Sequence, residues 1–570
     1  MKKYVTLVAL SVLLFSSTAS SQNWMSGLLD RYRPQNIGLS ALETSNSAPP
    51  SLTAMTQRNN ELSLSVGDVI HLMLENNLDI GVNRFSPLTA QYLIDTLYAR
   101  FDPTLTLAAS MNRTTTPSGS ALDGAHSNSR LGGNYSATYN HVLEHGTSYQ
   151  VRFQLNRNST NSLFSSVNPS YNGSLQYSFS QPLLRNFGRA NNTNQIRVAR
   201  NNLNISEIQF EIQVMDLVTQ AQNFYWDLVF AREDIKVQEE SLKLAERTLG
   251  DNRKQVEIGT LAPIEVIQAE SEVATRREGL VLANYTKVRI EDTIKKMVSG
   301  VPDPALVLLT LNPIENLRSR REDKILPVDE AIRLSLLNRP EMRQIDLQVQ
   351  NSDIDLAFAG NQLLPQLDIQ ASYTQSGLGG TQNIRRNVFG ETSGPVVQIP
   401  GGIGGAFEDI FGFDFTGYSV GVSLRIPLSN KSARANHARL TSQKRLNESK
   451  LAATAQAIAT EVRDAYNQIE MNRARIETAQ IAKELAERRL DAEQLKFRLG
   501  ASAIRFVLQE QRNVTQAQTT EIRSLVDYVK AVVAFDRAVG RTLERNNIQI
   551  QQQLLPSVAS AGGREAFGRR

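Results

Sequence analysis

The segment LAERTLGDNRKQVEIGT, Leu244 to Thr260, returns without a gap as LAERRLDAEQLKFRLGA, Leu485 to Ala501. An internal duplication constrains a chain more than any single motif, because each half must then build the same order of elements. The match extends outward. LSVGDVIHLMLENNLD (Leu64 to Asp79) answers ILPVDEAIRLSLLNRPE (Ile325 to Glu341), setting Ile70 against Ile332, Leu72 against Leu334 and Asn76 against Asn338, and SFSQPL (Ser178 to Leu183) answers SLRIPL (Ser423 to Leu428). Each half reads as short helix, Pro, strands, Pro, long helix, Gly, long helix. The first repeat is assigned to residues 62–300 and the second to 325–540, with a Pro-bearing linker at 301–324 between them. Residues 22–61, rich in Ser, Asn, Gln and Pro, and the tail at 541–570 read as weakly ordered extensions.

The long helices carry a coiled-coil seam. Ile458, Val462, Ala465, Ile469, Asn472, Ile476 and Ala479 alternate spacings of four and three, and Ile205, Ile208, Ile212 and Met215 begin a similar stripe in the first half. Nothing interrupts the helical pattern from Thr193 to Ile258, so the spacing predicts a rod of roughly 100 Å. Gly259 and Gly500 supply the left-handed residue that ends each rod, and Pro263 suits the first turn of a returning helix. Each copy of the opening segment is therefore one arm of a helical hairpin with glycine at its tip.

Elsewhere the period is two. Leu105, Leu107 and Ala109 alternate with Thr104, Thr106 and Ala108, and Leu175, Tyr177 and Phe179 with Ser174, Gln176 and Ser178. In the second half Leu367, Ile369, Ala371 and Tyr373 alternate with Asp368, Gln370, Ser372 and Thr374, and Tyr418, Val420, Val422 and Leu424 with Ser419, Gly421, Ser423 and Arg425. Strands with one apolar and one hydroxyl-rich face suit a transmembrane barrel wall, although a half-buried soluble sandwich shows the same alternation. Four strands do not close a barrel, since an open edge is not tolerated in lipid, so closure requires more than one copy of the chain. Pro103, Pro182, Pro365 and Pro427 flank these strands and mark the junctions between strand and helix. Residues 134–158 read as an additional hairpin that either enlarges the barrel or projects beyond it, and the segment from Gly377 to Gly412, containing PGGIGG, reads as an outward-facing loop.

Residues 1–21 combine Lys2 and Lys3, an apolar run from Tyr4 to Phe15 and small residues, the pattern of a secretory signal peptide. The run is shorter than the roughly 20 residues of a membrane-spanning helix. The chain has no cysteine, which excludes thiol chemistry and a lipid-acceptor Cys. With 61 Lys and Arg against 57 Asp and Glu, alternating along helices, no one-sign patch for nucleic acid arises. His141 and His145 stand about 13 Å apart on an extended segment, too far to share a metal. No P-loop, G-x-S-x-G or H-E-x-x-H is present, so neither enzyme chemistry, cofactor nor metal is expected.

With these residues assembled, the chain resembles the TolC-type outer-membrane efflux protein family from Leu62 to about Gly540. The resemblance rests on the DEAIRLSLLNRPE-like helix starts, the Pro-flanked strands, SQPLLRNFG, and the two tips Ile258-Gly259-Thr260 and Leu499-Gly500-Ala501. It implies a mixed α and β membrane protein: a homotrimeric β-barrel in outer-membrane lipid, continued by a long α-helical coiled-coil barrel through the periplasm. It also implies a periplasmic adaptor docked at the tips and an inner-membrane pump, in a tripartite efflux or type I secretion system. The family's closed tip carries acidic residues six and nine positions after the second glycine, where this chain has Phe506 and Gln509, and an arginine two positions after it, where this chain has Ser502 with Arg505 nearby. Glu265 keeps a carboxylate six residues after Gly259. An apolar ring of Phe506 side chains closing the aperture is the functional expectation; Phe506 packed between helices of one protomer is the alternative. The competing function is a periplasmic coiled-coil adaptor or binding protein without a channel, which needs neither the duplication nor strands of membrane length.

Overall fold

The structure, a computed structural model, describes residues 61–118, 126–162, 165–300, 309–315, 325–384 and 397–550. The signal peptide, the 22–60 stretch and the tail beyond 550 lie outside the described residues. In chain order the elements are β1 (Glu61–Leu64), α1 (Val66–Asn76), α2 (Leu78–Asn83), α3 (Phe85–Tyr98), β2 (Thr104–Pro117), β3 (Ser127–Val142), β4 (Ser148–Thr160), β5 (Val167–Pro182), α4 (Arg189–Asn192), α5 (Asn194–Glu257) and α6 (Ile264–Val298). The second half adds β6 (Thr310–Pro313), α7 (Val328–Asn338), α8 (Pro340–Gln362), β7 (Gln366–Ile384), β8 (Val397–Ile399), α9 (Ile403–Gly412), β9 (Phe415–Arg425), α10 (Lys431–Arg498), α11 (Ile504–Val539) and α12 (Thr542–Arg545). They form two compact units. The described parts of the first are Gln91–Asn201 and Val349–Leu446; those of the second fall within Asn36–Ala90, Asn202–Gln348 and Asn447–Arg570. Each unit thus takes pieces from both halves of the sequence.

The first unit is built on an antiparallel sheet in the order β2-β3-β4-β5-β7-β9, with the short β8 paired to the far end of β7. The 134–158 hairpin is part of this sheet: β3 and β4 lie between β2 and β5, joined by a turn in which Gly146 has φ 92°. Register aligns side chains in rows. Leu105, Tyr139, Val151, Tyr177, Tyr373 and Tyr418 stand opposite one another across six strands, and the neighbouring row is Thr106, Thr138, Arg152, Gln176, Thr374 and Gly417. One face is therefore apolar and aromatic and the other is polar, mostly hydroxyl and amide with Arg152 among them. Pro103 and Pro365 immediately precede β2 and β7, Pro182 ends β5 and Pro427 follows β9, positions where a missing N–H disturbs no central ladder.

The segment read as a glycine-rich loop contains a helix instead; its residues 385–396 lie outside the described ones. Helix α9 lies on the apolar face, with Ala406 and Ile410 fully buried and Phe407 stacked on Phe153 at 5.9 Å. Glycine at 173, 377 and 379 makes this seat: a Cβ at Gly377 would collide with the Ala406 carbonyl, and one at Gly173 would meet Ile410 at 2.6 Å. The Asp409 carboxylate accepts the Leu378 N–H at 3.0 Å. Among the described residues no helix is long and apolar enough to cross a membrane.

The second unit holds a hydrophobic core that includes Val69, Ile70 and Met73 of α1, Val214, Tyr225 and Trp226 of α5, Ile294 of α6, and Val526, Val529 and Phe535 of α11. The seven seam positions of α10, Ile458 to Ala479, are all buried. Helix α1 begins with a capping box in which the Ser65 hydroxyl accepts the Asp68 N–H and the Asp68 carboxylate accepts the Ser65 N–H. The stretch read as a linker contributes β6, paired parallel with β1. At the α7–α8 break, buried Arg339 binds Glu341 at 2.8 Å and also Glu461, while Arg537 joins Glu341 at 3.0 Å and Asp216 at 2.7 Å. Burial alone would raise the Glu341 carboxyl, but the hydrogen-bonded Arg339 guanidinium, with the charge of Arg537 beside it, holds it down at about 2. Because this value lies below the ordinary 4.5, the stabilisation is whole above about pH 4.5 and is lost as pH falls towards 2. Glu341→Gln is expected to cost about 2–3 kcal/mol at neutral pH and to flatten the acid limb of the stability curve, as denaturant titrations between pH 2 and 7 would show.

Candidate functional site: the hairpin tips

Both rods end in the same capping motif. After α5 the Gly259 N–H donates to the Val256 carbonyl at 3.0 Å and the Thr260 N–H to the Gln255 carbonyl at 2.8 Å; after α10 the Gly500 N–H donates to Phe497 at 3.0 Å and the Ala501 N–H to Lys496 at 2.8 Å. Gly259 and Gly500 have φ of 78° and 73°, the left-handed conformation this double bond requires. The duplication is thus reproduced at the level of individual hydrogen bonds. Ile258 and Leu499 precede the glycines and stand about three-quarters exposed. Pro263 occupies the N-cap of α6 with helical dihedrals.

Around the second tip, Ile504, Val507, Leu508 and Val514 of α11 pack with Leu490 of α10, and Leu244 of α5 joins them. These positions fill the inward stripe of α11. Phe506 lies off that stripe and is 47 % exposed. The Arg505 guanidinium carbon sits 4.8 Å from the Phe506 ring centroid, a cation–π contact. Gln509 faces solvent, donating to Asn513 at 3.1 Å and accepting from Arg512 at 2.7 Å. On the first hairpin, Glu265 lies in the first turn of α6 with a buried Oε2 that has no hydrogen-bond partner.

The structure adds two carboxylates that sequence reading passed over, Glu493 and Glu272. The Ser502 hydroxyl donates to Glu493, whose other oxygen is 3.1 Å from Lys496, closing the second tip across the turn. The Ser502 hydrogen bond first, and then Lys496, lowers the Glu493 carboxyl below its ordinary value. Nearby, buried Glu272 of α6 binds Arg276 of its own helix and Arg512 of α11, each at 2.7 Å, which ties the two hairpins together. Among the described residues no group of three or more His, Asp and Glu is arranged to hold a metal, and His141 Nδ1 lies 2.7 Å from the Tyr149 hydroxyl.

The chain's sequence matches the model of the outer membrane efflux protein family over residues 147–300 and 331–541, two blocks that include both tips. The chain belongs to that family. This sets its compartment as the outer membrane. The pyoverdine export outer membrane protein OpmQ of Pseudomonas aeruginosa is 24% identical over 346 residues, covering 60% of this chain; the chain spans 65% of that relative's length. In fold it is similar to the CmeC outer membrane channel of Campylobacter jejuni (TM-score 0.59, 14% identity, 85% of this chain and 90% of that one) and to the outer membrane protein VceC of Vibrio cholerae (TM-score 0.59, 14% identity, 83% and 96%).

Because the Glu493 carboxyl is held below its ordinary value, its grip on the second tip is complete above the usual carboxylate range and is lost as pH falls through the lowered value. Glu493→Gln is expected to speed amide hydrogen exchange at 499–503 near neutral pH, and acidification is expected to do the same to the unsubstituted protein once intrinsic rates are corrected.

Proposed function

We propose that this efflux-family chain is a passive conduit, closed from three copies, that crosses the outer membrane as a β-barrel and the periplasm as a helical tube. The observation that carries the reading is the sheet of the first unit. It has an apolar face fit for lipid and a hydroxyl and amide face fit for water, and both of its long edges, β2 and β9, are exposed along their whole length. Leu105, Leu107 and Met111 at one edge and Tyr418, Val420 and Val422 at the other are each more than 60 % exposed, which only lipid or further copies would relieve. The helices show the same need: Val281, Leu282 and Tyr285 of α6 and Met471, Ile481 and Leu485 of α10 stand exposed, surfaces that neighbouring copies would cover. A periplasmic adaptor would have no use for such a sheet.

In this reading the two repeats, 62–300 and 325–540, let three chains make a quasi-sixfold tube. Helices α5 and α10, of 64 and 68 residues, give it a length of roughly 100 Å. The tips at Ile258-Gly259-Thr260 and Leu499-Gly500-Ala501 are the docking points for a periplasmic adaptor coupled to an inner-membrane pump. At the aperture three copies of Phe506, each backed by Arg505 and followed by Gln509, form an apolar constriction that gates by excluding water, with Glu265 beside it. The alternation of exposed Phe506 with buried Ile504 and Val507 supports that assignment. Planar-bilayer recording tests it. The unsubstituted protein is expected to give small, rarely open channels and Phe506→Ala frequent, larger openings. Equal conductance from both would remove the gate, and absence of insertion by both would remove the channel.

A further inference from the structure

We infer that each copy contributes six strands to the membrane wall, so that three copies enclose a barrel of eighteen. The inference rests on the trimeric conduit proposed above and concerns the width of its outer-membrane segment. The four strands whose alternation is plainest in the sequence, β2, β5, β7 and β9, would give twelve in three copies. The structure interposes β3 and β4 between β2 and β5 as full members of the sheet. All fourteen residues of β2 pair with β3, from Thr104 opposite Asn140 to Pro117 opposite Ser127. Strand β4 pairs with β3 from Val142 opposite Ser148 to Arg130 opposite Thr160, and with β5 from Ser148 opposite Ser180 to Asn158 opposite Ser170. A hairpin projecting beyond the membrane would instead leave β2 paired directly with β5.

The two strands also carry the chemistry of a wall. Tyr135, Ala137 and Tyr139 of β3 and Val151, Phe153 and Leu155 of β4 continue the apolar face of their neighbours, in the rows of Leu105, Leu107 and Ala109. Ser136, Thr138 and Asn140, with Gln150, Arg152 and Gln154, continue the polar face, Asn140 and Gln150 in the row of Thr104, Ser178, Ser372 and Ser419. The row Tyr139, Tyr177, Tyr373 and Tyr418 places aromatic side chains at one level on four strands, the girdle expected where a barrel meets the membrane interface, and β3 supplies one of its members. Since barrel diameter grows roughly linearly with strand number, eighteen strands give a lumen about one and a half times as wide as twelve, in the range of water-filled porins. The outer-membrane segment is therefore wide and lined mostly by hydroxyl and amide groups, with Arg130 and Arg152 among them, a path for bulky hydrophilic cargo.

The chain has no cysteine, so any introduced thiol is the sole one. Adjacent pairs of small or polar residues test the wall directly in isolated outer membranes: Ser136→Cys with Ala137→Cys on β3, and Gln150→Cys with Val151→Cys on β4. The controls are Ala109→Cys with Ser110→Cys on β2, and Ala371→Cys with Ser372→Cys on β7. A water-soluble, membrane-impermeant maleimide is expected to label Ser136→Cys, Gln150→Cys, Ser110→Cys and Ser372→Cys and to lose labelling at the partner of each. Labelling at both members of the β3 and β4 pairs, with alternation kept on β2 and β7, would overturn the six-strand wall while leaving a barrel in place. Labelling of every position on all four strands would overturn the barrel reading and this inference with it. Two independent pairs on the hairpin guard against a single variant that fails to assemble.

Discussion

Every backbone N–H and C=O in hydrocarbon must find a partner inside the protein, because lipid offers none. In the proposed conduit that constraint governs the first unit. Its sheet satisfies four inner strands and leaves the outer sides of β2 and β9 without partners, and the side chains along those edges are apolar on one face and hydroxyl-bearing on the other. A single chain with such edges is an unfinished structure. Antiparallel pairing of β9 from one copy with β2 from the next would satisfy both edges at once, and repeated around a ring it would leave none.

The second unit meets a different demand with the same logic of repetition. Long helices in water need a continuous apolar stripe, and α10 supplies one at alternating spacings of four and three, buried along its length. Polar pairings fix how the helices meet. Arg339, Glu341, Arg537 and Asp216 link α5, α8 and α11 near one end of the unit, and Arg512 with Glu272 links α6 and α11 near the tips. Both tips end on a left-handed glycine with the same two capping hydrogen bonds, so the duplicated segments are equivalent in geometry as well as in sequence.

Much of this was legible in the chain because period carries information about exposure. The stripe from Ile458 to Ala479 predicted the buried seam of α10, and residues 134–158, read as an additional hairpin, form β3 and β4. What period does not carry is register, so the place of β3 and β4 inside the sheet emerged only from their pairing. Helix α9 was missed because Gly402, Gly404 and Gly405 are poor helix formers; its burial against Gly173, Gly377 and Gly379 outweighs that propensity, and this seat is assembled from distant parts of the sequence. The outward direction of Phe506 was available, since Ile504, Val507, Leu508 and Val514 already define the inward stripe of α11 and Phe506 falls off it. The clasp of Glu493 on Ser502 left no sequence signal, because a carboxylate nine residues before a serine means nothing until the tip turns between them.

Edge-to-edge closure between copies is the central claim, and a disulfide scan across the seam tests it most directly. Cysteines placed at small, polar-face positions of β2 (Thr106, Ala108, Ser110) would be combined one at a time with cysteines at Ser419, Gly421 or Ser423 of β9 in a chain that has no other thiol. Closure predicts that the pairs in register oxidise into covalent species of two and three chains and stop there. Intrachain linkage alone, no linkage for any pair, or a ladder extending without limit would contradict it.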